Sequence, residues 1–182
     1  TQEGELNNSG TQYAFSFNGD TDNAGTNTST YVSAGSINVN STGQTKFNSK
    51  SAHFPNTGYS SFKIPNSTDL QFGTGHFTIE GWLYIVNDSS NVGLSARVFQ
   101  MGDNDNNGIA LIYNFNNEFT FSNTHSNFLT DNPSNWLNAW RYFTVDYDGT
   151  TYRLYRDGAV IDTQTSGFNT VTSSADLHFG VY

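Results

Sequence analysis

Cysteine, basic side chains and long apolar runs are scarce or absent in this sequence, and each shortage excludes a class of protein. There is no cysteine among the 182 residues, so the chain forms neither a disulfide framework nor a thiolate metal site. Seven basic residues oppose sixteen acidic ones, and the formal net charge of −9 makes nucleic acid and anionic membranes poor partners. No apolar run reaches the roughly 18 residues of a membrane-spanning helix, so no membrane insertion is expected.

The remaining composition suits many short strands joined by tight turns. Aromatic residues make up 15% of the chain and charged residues 13%, while proline occurs three times and glycine 17 times. Residues 1–12 are polar and are predicted to be a loose lead-in, and residues 13–182 are long enough for one domain with a full core. Because the chain does not begin with methionine, we expect its numbering to start after processing or inside a longer protein.

The longest strand pattern occupies residues 72–85, where a glycine turn at residues 73–75 is followed by strict alternation. One face of the predicted strand is formed by Phe77, Ile79, Gly81, Leu83 and Ile85, and the other by Thr78, Glu80, Trp82 and Tyr84. We predict that this is a central strand of its sheet, and that the rings of Trp82 and Trp140 lie in the core.

The secondary structure of residues 140–163 is the clearest to predict, because this segment contains two Asp-Gly turns. Asp-Gly favours a two-residue type I′ hairpin, because both central residues then take positive φ. Such turns fix the register of three predicted strands, residues 140–147, 152–156 and 159–163. The predicted opposite pairs are Val145 with Tyr152, Phe143 with Leu154, Leu154 with Ile161, and Arg153 with Asp162, the last a cross-strand charge pair.

Shorter patterns fill the rest of the chain. Strands are predicted at residues 13–17, 51–54, 61–64, 96–101, 109–115 and 118–122. Asn116 and Asn117 form the turn of a hairpin, and residues 66–70 form one turn of helix. A long loop is expected at residues 123–138, and long loops in compact domains are often functional. The sequence therefore predicts an all-β, antiparallel two-sheet sandwich.

Several of these segments resemble laminin G-like, concanavalin A-like jelly-roll domains, of the kind found in bacteriophage surface proteins and bacterial exoproteins. The matching stretches are residues 17–19, 51–54, 72–85, 140–143, 154–158 and 177–180, which follow the family's order and cover roughly residues 13–182. The resemblance implies an antiparallel two-sheet jelly roll. It says little about function, because one fold hosts many roles.

The sequence departs from the family's pattern at two places. Asn18 stands where the family's opening motif carries aspartate, which weakens a cation site in that loop. The family also continues past the position of Tyr182 with one or two strands that close the sheet beside the first strand. Two explanations are open: the sequence ends early, or a neighbouring chain supplies the missing strand by β-augmentation.

A candidate calcium loop lies at residues 103–108, where Asp and Asn side chains precede a glycine. Hard cations need several converging oxygens, and Asp103, Asp105 and Asn107 can supply them. The closing glutamate of an EF-hand is missing, so the loop is not an EF-hand. The resemblance implies a calcium site at the rim of the sandwich, with Asp103 or Asp105 as first ligand and Asp176 as second. The alternative is a solvated turn without metal.

A sugar site would need aromatic rings beside polar side chains. The candidates are Phe128 and Trp136 in the long loop, and Tyr113 and Phe115 in the predicted strand at residues 109–115, on the face opposite Ile112 and Phe121. Aromatic residues of a sandwich more often belong to the core, and that alternative stays open for each of them.

No catalytic constellation is evident. Glycosidases of this fold use two carboxylates on one strand, typically as Glu-x-Asp-x-x-Glu. None of the four glutamates has an aspartate at that offset, and Glu80 stands alone beside Trp82. The histidines are scattered without metal-ligand spacing. We therefore expect no enzymatic activity.

Two functions remain. The first is a structural or decoration protein of a virion or cell surface, such as a bacteriophage, which acts through contacts with other protein chains and through adhesion. The second is a calcium-assisted, lectin-like module that binds surface glycans. Both place the protein outside the cell or on a virion surface.

Overall fold

The computed structural model describes nine stretches of the chain: residues 32–34, 38–46, 51–54, 61–86, 95–102, 108–114, 118–123, 126–166 and 172–180. The predicted first strand at residues 13–17, Asn18, the lead-in and Phe115 lie outside these residues, as do Asp103, Asp105 and Asn107. The division of the chain into a lead-in and one domain therefore stays a prediction.

Thirteen strands and two short 3₁₀ helices make up the described structure. The strands are β1 (Val32–Ala34), β2 (Asn38–Ser41), β3 (Ser51–His53), β4 (Ser61–Ile64), β5 (Phe77–Tyr84), β6 (Ser95–Met101), β7 (Ile109–Asn114), β8 (Phe119–Asn123), β9 (Ser126–Asp131), β10 (Trp140–Tyr147), β11 (Tyr152–Arg156), β12 (Ala159–Gln164) and β13 (Leu177–Gly180). The 3₁₀ helices are Thr68–Leu70 and Pro133–Trp136. No helix in the described stretches is long and apolar enough to cross a membrane.

The strands form an antiparallel sandwich, which confirms the predicted fold class. The larger sheet has the order β1-β4-β13-β6-β7-β8-β9 and the smaller one β12-β11-β10-β5, while β2 and β3 pair by themselves. The inner faces of both sheets meet in one apolar core that includes Phe99, Phe121 and Leu129 from the larger sheet and Phe143 and Leu154 from the smaller. This packing is the jelly-roll arrangement that the resemblance implied.

Strand β5 alternates as predicted, with its apolar positions packed against the core and Thr78, Glu80 and Trp82 exposed. It lies at the edge of the smaller sheet in the described part of the chain, because its ladder there is formed with β10 alone. That position differs from the predicted central strand. Packing explains the glycine at position 81. Gly81 stands opposite Phe143, and a Cβ on it would lie 3.1 Å from the Phe143 ring.

The turn at Asp157-Gly158 has the predicted geometry. Asp157 has φ 50° and Gly158 has φ 83°, and Arg156 pairs with Ala159 directly across them. These are the two positive values that a type I′ turn requires.

The turn after β10 is longer than predicted. Tyr147 pairs with Tyr152, so four residues connect the strands, and Val145 faces Leu154 instead of Tyr152. The Asp148 carboxylate accepts hydrogen bonds from the N–H groups of Thr150 and Thr151, which closes a wider turn. Because the shift is two residues, every side chain keeps its predicted face.

A bulge in β12 overturns the predicted pairs of Arg153 with Asp162 and of Leu154 with Ile161, and Leu154 stands opposite Asp162. The register shifts after Leu154, so Arg153 stands opposite Thr163. The Arg153 guanidinium lies 2.6 Å from Asp148 and 3.3 Å from Asp146. Asp162 instead accepts a hydrogen bond of 2.9 Å from the backbone N–H of Thr130 in β9, and so links the edges of the two sheets.

The predicted loop at residues 123–138 is largely regular structure. Strand β9 pairs with β8, and the 3₁₀ helix Pro133–Trp136 follows. The Asn132 side chain caps that helix by accepting from the N–H of Ser134. The segment therefore extends the larger sheet instead of forming the predicted long loop.

Candidate functional site

Four aromatic side chains share the outer face of the smaller sheet, and we refer to Trp82, Tyr84, Trp140 and Tyr142 as the outer aromatic strip. The strip follows from the period of two, because residues next to Gly81, Leu83, Arg141 and Phe143 point away from the core. Trp140 stands opposite Tyr84, and Tyr142 stands opposite Trp82.

The rings of the strip contact each other in pairs. The centroids of Trp82 and Tyr142 are 5.1 Å apart, and those of Tyr84 and Trp140 are 5.7 Å apart in an edge-on arrangement. Trp82 is 39% exposed, and the other three are partly buried. The prediction that Trp82 lies in the core was therefore wrong, and Trp140 is only partly covered. Packing in the core therefore does not explain why these large aromatic side chains lie on the solvent side of the sheet.

Polar groups border the strip on one side. The Tyr142 hydroxyl is hydrogen-bonded to Glu80 and Thr144, and these three side chains form a short polar chain across the sheet. Burial, together with the bond to the Glu80 carboxylate and its charge, raises the pKa of Tyr142 well above its ordinary value. Glu80 thus places its acceptor oxygens next to the rings of the strip.

The backbone at the far side of Tyr142 is held by the neighbouring turn. Asp157 accepts a hydrogen bond of 3.0 Å from the N–H of Tyr142, and the Arg141 guanidinium lies 2.8 Å from the same carboxylate. These contacts fix the strand position from which the Tyr142 ring projects.

One basic residue lies against the strip from another part of the chain. The Lys46 ammonium is 3.9 Å from the centroid of the Trp82 ring. Its segment is anchored to the small β2–β3 sheet, because the Ser51 hydroxyl donates a hydrogen bond of 2.5 Å to the Gln44 carbonyl. Lys46 thus covers part of one face of the indole.

The candidate cation loop is described only at its two ends. Gly102 and Gly108 lie close together, and a Cβ on Gly102 would be 2.6 Å from the Ser173 hydroxyl. Strand β13, which begins next to Asp176, pairs with β6 at Met101. The structure therefore brings the two ends of the loop close to the segment that contains Ser173 and precedes β13.

Asp176 already has two partners. Its carboxylate lies 2.6 Å from the Lys63 ammonium and accepts a hydrogen bond of 2.9 Å from the N–H of Asn66. The Lys63 hydrogen bond, followed by the Asn66 bond, lowers the pKa of Asp176. In the described stretches no three metal-ligating side chains converge on one point. Calcium binding by Asp103, Asp105 and Asn107 stays a prediction from the sequence.

The aromatic residues expected at a sugar site lie mostly in the core. Trp136 is fully buried, stacks on Phe119 at 3.9 Å and donates a hydrogen bond of 2.7 Å to Asp131. Tyr113 is 2% exposed, and Phe128 packs edge-on against Tyr152. The geometry of Trp136 and Tyr113 favours the alternative of core residues, since their rings offer no open face to a ligand. The strip was missed, although Trp82 falls on the polar face of its predicted strand.

Comparisons with known proteins agree with this architecture. A family model described as the concanavalin A-like lectin/glucanases superfamily matches residues 56–181. No curated protein matches the sequence. A solved structure of Domain 4 of AbnA, an extracellular GH43 arabinanase from Geobacillus stearothermophilus in complex with arabinotriose, has a TM-score of 0.66 and 17% identity. The match covers 94% of this chain and 83% of that domain.

Two toxin structures are similar over a smaller part of their own length. The binding domain of botulinum neurotoxin serotype C1 has a TM-score of 0.65 and 15% identity, with 87% of this chain and 39% of that one covered. The binding domain of botulinum neurotoxin DC in complex with SialylT has a TM-score of 0.62 and 14% identity, with 96% and 44% covered. This chain thus spans about two fifths of the toxin structures, and these likenesses concern the fold.

Proposed function

Because the chain belongs to the concanavalin A-like lectin/glucanases superfamily, we propose that it is a non-enzymatic module that binds carbohydrate on the outer aromatic strip. The observation that carries the proposal is the exposed Trp82 ring, paired with Tyr142 and bordered by Glu80. A sugar ring has an apolar face and a rim of hydroxyls. The strip offers an aromatic surface for the first and carboxylate acceptors for the second.

Binding without hydrolysis agrees with the carboxylates at hand. Glycoside hydrolysis needs two carboxyl groups about 5 to 9.5 Å apart on either side of the scissile bond. Glu80 is engaged by Tyr142, and the Asp157 carboxylate is engaged by Arg141 and by the backbone of Tyr142. Since both carboxylates already hold partners, we propose recognition and not catalysis.

The similar solved structures support a glycan partner and an extracellular location. The arabinanase domain was solved with arabinotriose and one toxin domain with SialylT, and the arabinanase is described as extracellular. We infer a glycan partner and an extracellular or surface location for this chain by analogy of fold. The acidic net charge of −9 suits a soluble surface module and disfavours nucleic acid.

A structural role in a virion or cell-surface assembly is the second candidate. The edge of β5 favours it, because among the described residues its ladder is formed with β10 alone over eight residues. An edge of that length can accept a strand from a neighbouring chain. The predicted strand at residues 13–17 of the same chain is the competing occupant.

A glycan array with the whole chain tests the proposal. We expect binding to at least one glycan class, and a loss of about tenfold or more in affinity for Trp82→Ala, because covering a large apolar side chain is worth about 1.5–3 kcal/mol. Val160→Ala is the matched control, since Val160 is 52% exposed on the same sheet and lies outside the strip. An array without binding, together with a chain that assembles into particles in light scattering, would favour the structural role instead.

A further inference from the structure

We propose that the carbohydrate site continues from the outer aromatic strip along the smaller sheet and takes a neutral oligosaccharide of at least three sugar units. The inference rests on the proposed function and deepens it, because it names the charge and the length of the ligand. Its basis is a repeat on the outer face of the smaller sheet. Tyr142 is hydrogen-bonded to Glu80, and Tyr155 is hydrogen-bonded to Asp146. A surface that repeats one unit suits a ligand that is itself a chain of repeated units.

The register of the sheet places the two tyrosine–carboxylate pairs side by side. Tyr155 stands directly opposite Thr144, so it projects from the outer face one step along the sheet from Tyr142. One step is two residues, which is about 7 Å in an antiparallel strand. The Tyr142 hydroxyl reaches Glu80, which lies one step further toward the turn after β10. The Tyr155 hydroxyl reaches Asp146, which also lies one step further toward that turn, so both side chains lean in the same direction.

Arg153 occupies the next step in the same direction. It stands opposite Asp146, and its guanidinium lies 3.3 Å from that carboxylate and 2.6 Å from Asp148. Each contact uses one nitrogen, and a guanidinium has five N–H donors, so donors are left for the hydroxyls of a ligand. From Tyr142 to Arg153 the outer face spans two steps, about 14 Å, which is longer than a single sugar ring. The three steps at Tyr142, Tyr155 and Arg153 therefore give three positions for successive sugar units.

The charges along these three steps favour a neutral ligand. The carboxylates of Glu80, Asp146 and Asp148 outnumber the guanidinium of Arg153, and the whole chain carries a net charge of −9. One step is shorter than the Debye length of about 8 Å at physiological salt, so a carboxylate on the ligand would be repelled. Sugar hydroxyls donate to carboxylates and accept from a guanidinium, so a neutral sugar matches both. Glu80 is exposed, and Tyr155 and Arg153 are half-buried, so a ligand can reach them from solvent.

The experiment measures affinity as a function of ligand length. Isothermal titration of the whole chain is carried out with cello-, xylo- and arabino-oligosaccharides and with oligogalacturonides, each from the monosaccharide upward. We expect one neutral series to gain about threefold to tenfold in affinity per unit up to the trisaccharide, as one added net hydrogen bond gives. Tyr155→Ala should lose most of this gain and bind the monosaccharide as wild type does, while Tyr155→Phe should keep part of it. Gln164→Ala is the matched control, because this exposed residue of β12 pairs with the core-facing Tyr152.

The outcomes separate the inference from the proposed function. If affinity does not change with length, or if the oligogalacturonides bind most tightly, the inference is overturned while carbohydrate binding stands. If Tyr155→Ala weakens every length equally, the monosaccharide included, Tyr155 only supports the fold and the inference fails. If none of the four series binds, the inference fails, and the glycan array decides separately on the proposed function. A thermal melt checks that each variant is folded, and the length series of the wild-type protein tests the inference without any variant.

Discussion

Two tryptophans of this chain show how one residue type serves two purposes. Trp136 is fully buried, stacks on Phe119, and places its indole N–H on the Asp131 carboxylate. That carboxylate is itself only 7% exposed and also binds the Arg156 guanidinium. Trp82, by contrast, is 39% exposed. The two residues should therefore respond in opposite ways to substitution.

Trp136→Phe tests the buried role. The substitution removes the indole donor from Asp131 and part of the stack on Phe119, so we expect a loss of about 2–3 kcal/mol in the free energy of unfolding. Glycan binding of the folded variant should not change. Trp82→Phe is the matched comparison, with a stability change within about 0.5 kcal/mol and weaker binding. Urea denaturation measures the first property and titration the second. Weaker binding in Trp136→Phe at unchanged stability would return Trp136 to the ligand site.

At the scale of elements, the contact between β5 and β10 depends on Gly81, which has no side chain. Gly81 faces Phe143 across the ladder, and a Cβ there would lie 3.1 Å from one ring atom and 3.3 Å from another. Phe143 is 4% exposed and packs in the core, so its ring has little room to yield. The glycine in the middle of the eight-residue strand β5 thus allows an aromatic ring to cross over it.

Gly81→Ala should therefore overpack this contact and destabilise the protein by about 1–3 kcal/mol. Gly43→Ala is the control, because the nearest atom to a Cβ there is 3.7 Å away and we expect a change within about 0.5 kcal/mol. Chemical denaturation of both variants measures the difference. Equal stability of Gly81→Ala and wild type would mean that the Phe143 ring moves without cost.

The two Asp-Gly turns show what sequence can and cannot determine about an element. At Asp157-Gly158 the dipeptide alone predicted the turn, because both residues adopt the positive φ that it favours. At Asp148-Gly149 only the glycine does so, with φ 92°. There the Asp148 side chain bonds to Thr150 and Thr151, and that local competition widens the turn by two residues. The faces were still predicted correctly, since their period is two.

The candidate site was harder to predict than the fold. The jelly roll follows from alternating apolar residues and from motifs within single segments. The strip needs two strands in register, and the contact of Lys46 with Trp82 joins segments that are distant in the sequence. Apolarity alone placed Trp82 in the core, whereas its position between Glu80 and Tyr84 on the outer face was the better signal. Strand β9 was missed because its residues 126–131 alternate weakly: the polar pairs Ser126-Asn127 and Thr130-Asp131 flank Phe128 and Leu129.

At the scale of the whole molecule, the sandwich places different features on different parts of its surface. One side is closed where Thr130 of β9 bonds to Asp162 of β12, and the outer face of the smaller sheet carries the aromatic strip. At the rim, Gly102 and Gly108, which flank the candidate calcium loop, lie next to each other, and Gly102 also lies next to Ser173. A ligand at the rim would therefore join two connections of the larger sheet, and its binding energy would act on the unfolding of the entire domain.

Calcium binding at this rim is testable through that coupling. A ligand that binds only the folded protein, at about a hundred times its dissociation constant, adds roughly 2.7 kcal/mol. For a domain of this size we expect the melting temperature to rise by about 5–10 °C in calcium relative to EDTA, at about 2–4 °C per kcal/mol. Scanning calorimetry measures the rise. Asp103→Ala or Asp105→Ala should abolish it.

The Asp176→Asn variant tests whether Asp176 is a calcium ligand in addition to residues 103–108. Asp176 is already held by Lys63 and Asn66, so we expect this variant to keep the calcium response while its own stability falls. If the rise in melting temperature with calcium disappears in Asp176→Asn, then Asp176 is a calcium ligand whose carboxylate gives up its contact with Lys63 when the metal binds. The absence of any rise in wild-type protein at millimolar calcium would identify residues 103–108 as a solvated turn. The proposed carbohydrate binding would then depend on the aromatic strip without help from a metal.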